Sequence, residues 1–212
     1  MIGRIAAVVL ACTLPAGALG AQGLRNLSLD AGVSRMRFHS AASGGGEALS
    51  GIAALGRARF FVGQFSIETS YSEGRLVPDT GAARYLVDGS VFLAGRPVSW
   101  LALRAGPHLR AYVTPGVTER WVMWEAHARV DRPIIAGMLD AHVEAWLALS
   151  STVNVDPGAL GARGGQAGLI LRLWQSPLWA RLTYVVDQAK LKSNARTETV
   201  ESVLFAIGLG GR

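Results

Sequence analysis

The chain has 212 residues, half of them hydrophobic, with 21 Lys+Arg against 15 Asp+Glu and a formal net charge of +6. That length suits one domain of ordinary size, and beyond the N-terminus no run of about 18 apolar residues could cross a bilayer as a helix. The basic balance rests on arginine, with lysine only at Lys190 and Lys192, and export of the chain excludes nucleic acid as its partner.

Met1–Arg4 is a short basic start, Ile5–Leu14 an apolar core, and Ala18-Leu19-Gly20-Ala21 a run of small residues suited to cleavage. These are the parts of a secretory signal peptide over residues 1–21. Val9-Leu10-Ala11-Cys12 also resembles the lipobox at which bacterial lipoproteins are acylated, so processing at Cys12 stands as the alternative to cleavage near Ala21. With cleavage near Ala21 the single cysteine leaves, and residues 22–212 carry neither thiol nor disulfide, which suits the periplasm.

From residue 24 onward, apolar and polar residues alternate with period two, the signature of strands with one apolar face. Leu27, Leu29, Ala31 and Val33 mark the first strand, followed by a glycine-rich loop at Ser40–Glu47. Leu49, Gly51, Ala53 and Leu55 form the apolar face of a second, turning tightly near Gly56–Ala58. Phe61, Gly63, Phe65, Ile67, Thr69 and Tyr71 make a third, with a loop through 73–82. Tyr85, Val87, Gly89, Val91 and Leu93 make a fourth, turned by Gly95-Arg96-Pro97. The fifth spans 98–113, and a bulge is expected at Gly106-Pro107 because proline cannot donate to the ladder.

The clearest unit is Arg120–Ser150, two long arms joined at Asp131-Arg132-Pro133. Val122, Trp124, Ala126, Ala128 and Val130 oppose Met123, Glu125, His127 and Arg129, while Ala141, Val143, Ala145 and Leu147 oppose Asp140, His142, Glu144 and Trp146. Each apolar face spans about ten residues, the length of a tilted membrane strand. A long loop at 153–165 leads to strands eight (166–174), nine (180–187) and ten, the last marked by Val203, Phe205, Ile207 and Leu209. Short turns near 56–58, 95–98, 131–133 and 175–178 alternate with longer connections. The expected fold is all-β: one up-and-down antiparallel transmembrane β-barrel of about ten strands, with short periplasmic turns and longer extracellular loops.

In this pattern residues 24–212 resemble the small bacterial outer-membrane β-barrel proteins, a group that includes the OmpA-type membrane domain, the Opa-like adhesins and the omptin proteases. The resemblance implies residence in the Gram-negative outer membrane. It implies outer-membrane lipid, lipopolysaccharide and the barrel-assembly machinery as partners. Phe61, Tyr71, Tyr85, Trp100, Trp174 and Trp179 are the expected membrane-interface aromatics.

The polar faces would then line the lumen and collect Asp88, Arg104, Arg110, Glu125, Arg129, Asp140, Glu144, Arg172, Arg181 and Asp187. Charges in a narrow interior need partners. Folding the central hairpin about 131–133 places Glu125 level with Asp140. Two readings of this cluster stand side by side. One is a structural ion-pair network. The other is acid–base chemistry, since Glu125-x-His127 and Asp140-x-His142 each put an acid and a histidine on one face; Asp140-x-His142 is also similar to a pair used by omptin proteases. No metal-ligand spacing, phosphate-binding glycine loop or nucleotide motif occurs, so no metal or cofactor is expected. A structural or surface-interaction role through the loops 39–47, 73–82 and 153–165 is the leading expectation. The alternatives are a narrow porin-like pore, a soluble lipocalin-like binder with the faces inverted, and an outer-membrane hydrolase.

Overall fold

The computed structural model describes residues 26–210 apart from 43, 79–81 and 174–175. The signal segment 1–21, Cys12 and Trp174 lie outside the described residues. Ten strands follow one another: β1 (Leu27–Ala42), β2 (Gly45–Val62), β3 (Phe65–Pro78), β4 (Arg84–Val98), β5 (Leu101–Thr114), β6 (Val117–Ile135), β7 (Leu139–Val153), β8 (Ala159–Arg172), β9 (Leu178–Leu191) and β10 (Arg196–Gly210). Each pairs antiparallel with its sequence neighbours, and β1 pairs with β10, closing an up-and-down barrel. Closure leaves no strand edge unpaired.

The register sets the tilt. Leaving Arg35 through Ile52, Arg75, Tyr85 and Val113 reaches β6 at Thr118; leaving it through Val203, Tyr184, Ala167 and Val143 reaches β6 at Val130, 12 residues further along. A stagger of that size over ten strands, at ~3.3 Å per residue and ~4.8 Å between strands, gives a tilt of about 40°.

Alternation sorts the side chains. Leu29 and Val33 on β1, Ile67 and Tyr71 on β3, Val91 and Leu93 on β4, Val122 and Trp124 on β6, Val143 and Leu147 on β7, and Phe205 and Ile207 on β10 are all exposed on the outer face. Charged and large residues of the opposite parity fill the interior.

Several local expectations are displaced. The turn expected near Gly56–Ala58 falls at residues 63–64, and that expected at Asp131–Pro133 falls at residues 136–138, where Gly137 takes φ +73°. The hairpin therefore pairs Glu125 with Ala148 and Asp140 with Pro133, so the two acids are not level. On β2 the faces are inverted: Leu49 and Ala53 point inward and Ile52 outward, because Leu49 pairs with inward-facing Phe38 of β1, and a shift of one residue exchanges both faces of a strand. The ladder runs through Gly106 and Pro107 without a shift against β6; the bulges lie at Gly95/Val98, Trp124/Glu125, Pro133/Ile135 and Ala159/Gly161.

The connections at both ends span five residues at most. Much of the segments 39–47, 73–82 and 153–165 is strand. Their glycines and polar residues continue the outer face past its apolar band, or make room inside. Gly164 is of the second kind, as is Gly168 further along β8. A Cβ on Gly164 would sit 2.3 Å from Trp146 Nε1 and 2.5 Å from Asp187 Oδ1, and one on Gly168 would sit 2.8 Å from both His142 Cε1 and Thr183 Oγ1.

Candidate functional site in the lumen

Side chains of alternating parity on ten inward faces converge on the barrel axis and form three tiers. The tier nearest the β1–β2 turn is apolar. Phe38, Leu49, Leu76, Leu86, Trp121, Met123 and Val200, from six strands, pack into one buried cluster with Tyr112. Phe38 on β1 meets Tyr112 on β5 edge-on at a centroid distance of 5.2 Å. These strands are four apart in the sheet, so the contact crosses the lumen. Above it Trp121 Nε1 donates to Glu119 Oε1 at 2.9 Å, and Arg196 of β10 pairs with Glu119 of β6, again across the lumen, and with Glu198 at 2.6 Å. Arg84 pairs with Glu47 at the same rim.

The middle tier is one continuous polar chain. Arg59 Nε stands 2.8 Å from Glu68 Oε1; Arg104 donates to Glu68 Oε2 at 3.0 Å and to Glu144 Oε1 at 2.6 Å. Gln166 Nε2 donates to Glu144 Oε2 at 2.7 Å. From Glu144 the path alternates acid and imidazole. His127 Nδ1 is 2.7 Å from Glu144 Oε1 and its Nε2 is 3.0 Å from Glu125 Oε2; His108 Nδ1 is 2.7 Å from Glu125 Oε1 and its Nε2 is 2.9 Å from Asp88 Oδ2. Arg110 then donates to Asp88 Oδ2 and to Asp187 Oδ2, both at 2.8 Å, and Trp146 Nε1 donates to Asp187 Oδ1 at 3.0 Å. The Arg110–Asp187 bond joins β5 to β9 and also spans the lumen.

The five carboxylates of this chain, Glu68, Glu144, Glu125, Asp88 and Asp187, are interleaved with three guanidiniums and two imidazoles, so each acid lies against at least one nitrogen-bearing partner, the condition for holding so many charges in a narrow interior.

The third tier lies at the opposite mouth. Arg129 holds Asp131 Oδ1 at 2.8 Å through Nε and 2.7 Å through Nη2, Arg172 holds Asp140 at 2.9 Å, and Arg181 holds Asp30 at 3.2 Å. A cavity of about 140 Å³ opens between the turns there, lined by Arg59, Phe61, Glu68, Arg104, Arg129 and Glu144. A gap on the other side of the polar chain, beside Arg110, Trp121 and Asp187, is about 10 Å³, enough for one water.

Asp88, Arg104, Arg110, Glu125, Glu144 and Asp187 thus lie in one chain. Arg129 and Arg181 sit in the third tier, and Asp140 with Arg172 forms a separate pair at the mouth. Of the acid–histidine candidates, Glu125 and His127 are joined. Asp140 and His142 are not: His142 is 2% exposed and neither ring nitrogen has a hydrogen-bond partner among the described residues. Tyr71 and Tyr85 face outward and Trp100 is exposed at the β4–β5 turn. Phe61 and Trp179 have inward parity, Phe61 in the cavity wall and Trp179 against Gly208 with Arg181 at 5.9 Å.

Not anticipated were Asp30, Arg57, Arg59, Asp131, Gln166, Thr183 and the whole apolar tier. Arg57 and Arg59 share the parity of Leu49, which the sequence pattern places outward, so only pairing with β1 brings them inside. Asp131 was hidden by its assignment to that of the central hairpin. Among the described residues, no group of three or more His, Cys, Asp or Glu has the geometry to hold a metal ion.

No family model matches the chain, and no curated protein matches it in sequence. Among solved structures the barrel is similar to the translocator domain of the autotransporter NalP from Neisseria meningitidis, with 11% identity, 89% of this chain and 91% of that one covered, and a TM-score of 0.52. Neisserial surface protein A matches at 10% identity, 87% and 96% coverage and a TM-score of 0.45. Ail, the attachment invasion locus protein of Yersinia pestis, matches at 11% identity, 86% and 96% coverage and a TM-score of 0.38. The chain has the fold of the outer-membrane β-barrels.

Proposed function

We propose that the protein is a closed structural barrel of the outer membrane, with outer-membrane lipid around it and no conducting path through it. The supporting observation is that contacts from strands four apart cross the lumen in successive tiers: Phe38 with Tyr112, then Arg110 with Asp187. A ten-stranded barrel is narrow enough for side chains to fill, and here the apolar tier and the polar chain fill it in series. The outer face supports the membrane location. Its apolar residues are exposed on every strand while most of the charge is inside, the reverse of what a soluble lipocalin-like binder requires. Short connections at both ends favour a structural role over recognition by long loops. The acid–imidazole chain favours packing over catalysis, because Glu125 and His127 spend their polar atoms on one another and on neighbours.

Purified, refolded protein in planar bilayers tests this reading: stable background current is the expected result, and reproducible step openings in the wild type would overturn the closed barrel. Fractionation with a heat-dependent gel shift tests the location. Recovery in the washed outer membrane is expected, and recovery as soluble periplasmic protein would overturn it.

A further inference from the structure

Continuing the outward parity of β1 past Leu29, Ala31 and Val33 brings Arg35, Arg37 and His39 onto the outer face, all exposed. On β3 the same continuation past Ile67 and Tyr71 brings out Glu73 and Arg75. Arg35 and Arg75 both pair with Ile52 of β2, so their Cα atoms are roughly 10 Å apart, and Arg37 lies roughly 7 Å along β1. With the strands tilted by about 40°, Arg37 and Arg75 reach nearly the same height, ~5 Å above Arg35. Arg163 on β8 and Lys190 on β9 extend the collar around this side. The ion pairs of the described residues join interior and rim groups, and none engages Arg35, Arg37, Arg75 or Lys190. Two acids share this stretch, Glu201 opposite Arg37 and Glu73 two residues before Arg75, where it accepts from Tyr71 Oη at 3.0 Å; the arginines and lysine of the collar outnumber them, so the side keeps a positive excess.

A cation at the upper edge of an apolar band is costly beside hydrocarbon and favourable beside an anion. A guanidinium binds phosphate through paired donors. Among the described residues the strands of the barrel's opposite side carry only Arg120 at this end of the outer face, so the collar is directional. We infer that Arg35, Arg37 and Arg75 form a docking site for the phosphate groups of a phosphorylated glycolipid in the outer leaflet. The inference rests on the reading of the protein as an outer-membrane barrel, with the β1–β2 turn at the outer surface.

The test is native mass spectrometry of detergent-purified protein with added lipid A, compared with lipid A from which both phosphates have been removed. Wild-type protein is expected to retain lipid A at least tenfold better than the dephosphorylated form, with inorganic phosphate failing to compete. The triple variant Arg35→Gln, Arg37→Gln, Arg75→Gln is expected to lose that preference, and Arg120→Gln to keep it. Equal retention of the two lipids by wild type, or release by inorganic phosphate, overturns the site even if the triple variant does not fold. A membrane-located, heat-shifting protein without the preference overturns this inference alone; a soluble protein overturns the location as well.

Discussion

The two halves of the lumen are filled by different physics. Toward the β1–β2 turn, Phe38, Leu76, Leu86 and Trp121 are almost completely buried and held by shape. From mid-barrel to the other mouth, Glu144, Glu125 and Asp88 are held by partners, each lying against two basic or imidazole side chains along the chain from Arg59 to Trp146. Apolar packing tolerates exchange among similar volumes, whereas a buried ion network fails when one member is removed, because the others keep their charge. His142 sits between these regimes, buried like a core residue yet polar and without a hydrogen-bond partner among the described residues.

The sharpest way to break the contrast is Glu144→Ala. It strips one acceptor from Arg104, His127 and Gln166 at once, and a loss of about 3–5 kcal/mol is expected in denaturant unfolding of the refolded protein; a loss under 1 kcal/mol would show that the chain is solvated and replaceable. Phe38→Ala should cost a comparable or slightly smaller ~3–4 kcal/mol by leaving a cavity against Tyr112. It is also the variant in which step currents should first appear if the apolar tier is the seal, and unchanged stability would contradict the packing described.

Gly164→Ala is expected to cost about 1–3 kcal/mol, since the added methyl meets the Trp146–Asp187 hydrogen bond, and Trp146 fluorescence should report the displacement. His142→Leu is the smallest change and the sharpest comparison. With no hydrogen bond to lose, it should be neutral within about 1 kcal/mol or stabilising, while His127→Leu should be clearly destabilising. Equal losses for the two would mean that His142 has partners of its own, such as bound water.

Period-two alternation carried most of the architecture, because a strand with one face in an apolar medium must repeat every second residue. The strand count, the outward sets on β4, β6, β7 and β10, and the inward placement of Glu125, His127, Arg104 and Arg110 follow from it. Turn positions were misread where a turn-forming residue within a strand competed with the true one: Gly56 and Pro133 stand inside strands, while Gly63 and Gly137, both at positive φ, make the reversals. The error at Pro133 put Asp140 level with Glu125, whereas the true register pairs Glu125 with Ala148. On β2, where both faces carry small or apolar residues, parity could not choose between them, and pairing with β1 made the choice.

By itself, then, the sequence determined that this chain closes into a ten-stranded barrel with an apolar exterior, since that follows from local periodicity along each strand. Which interior groups meet was decided only by the tertiary structure. Stagger and tilt bring β1 against β5 and β5 against β9 across the axis, and contacts between strands four apart depend on register summed around the whole sheet, which no single strand encodes.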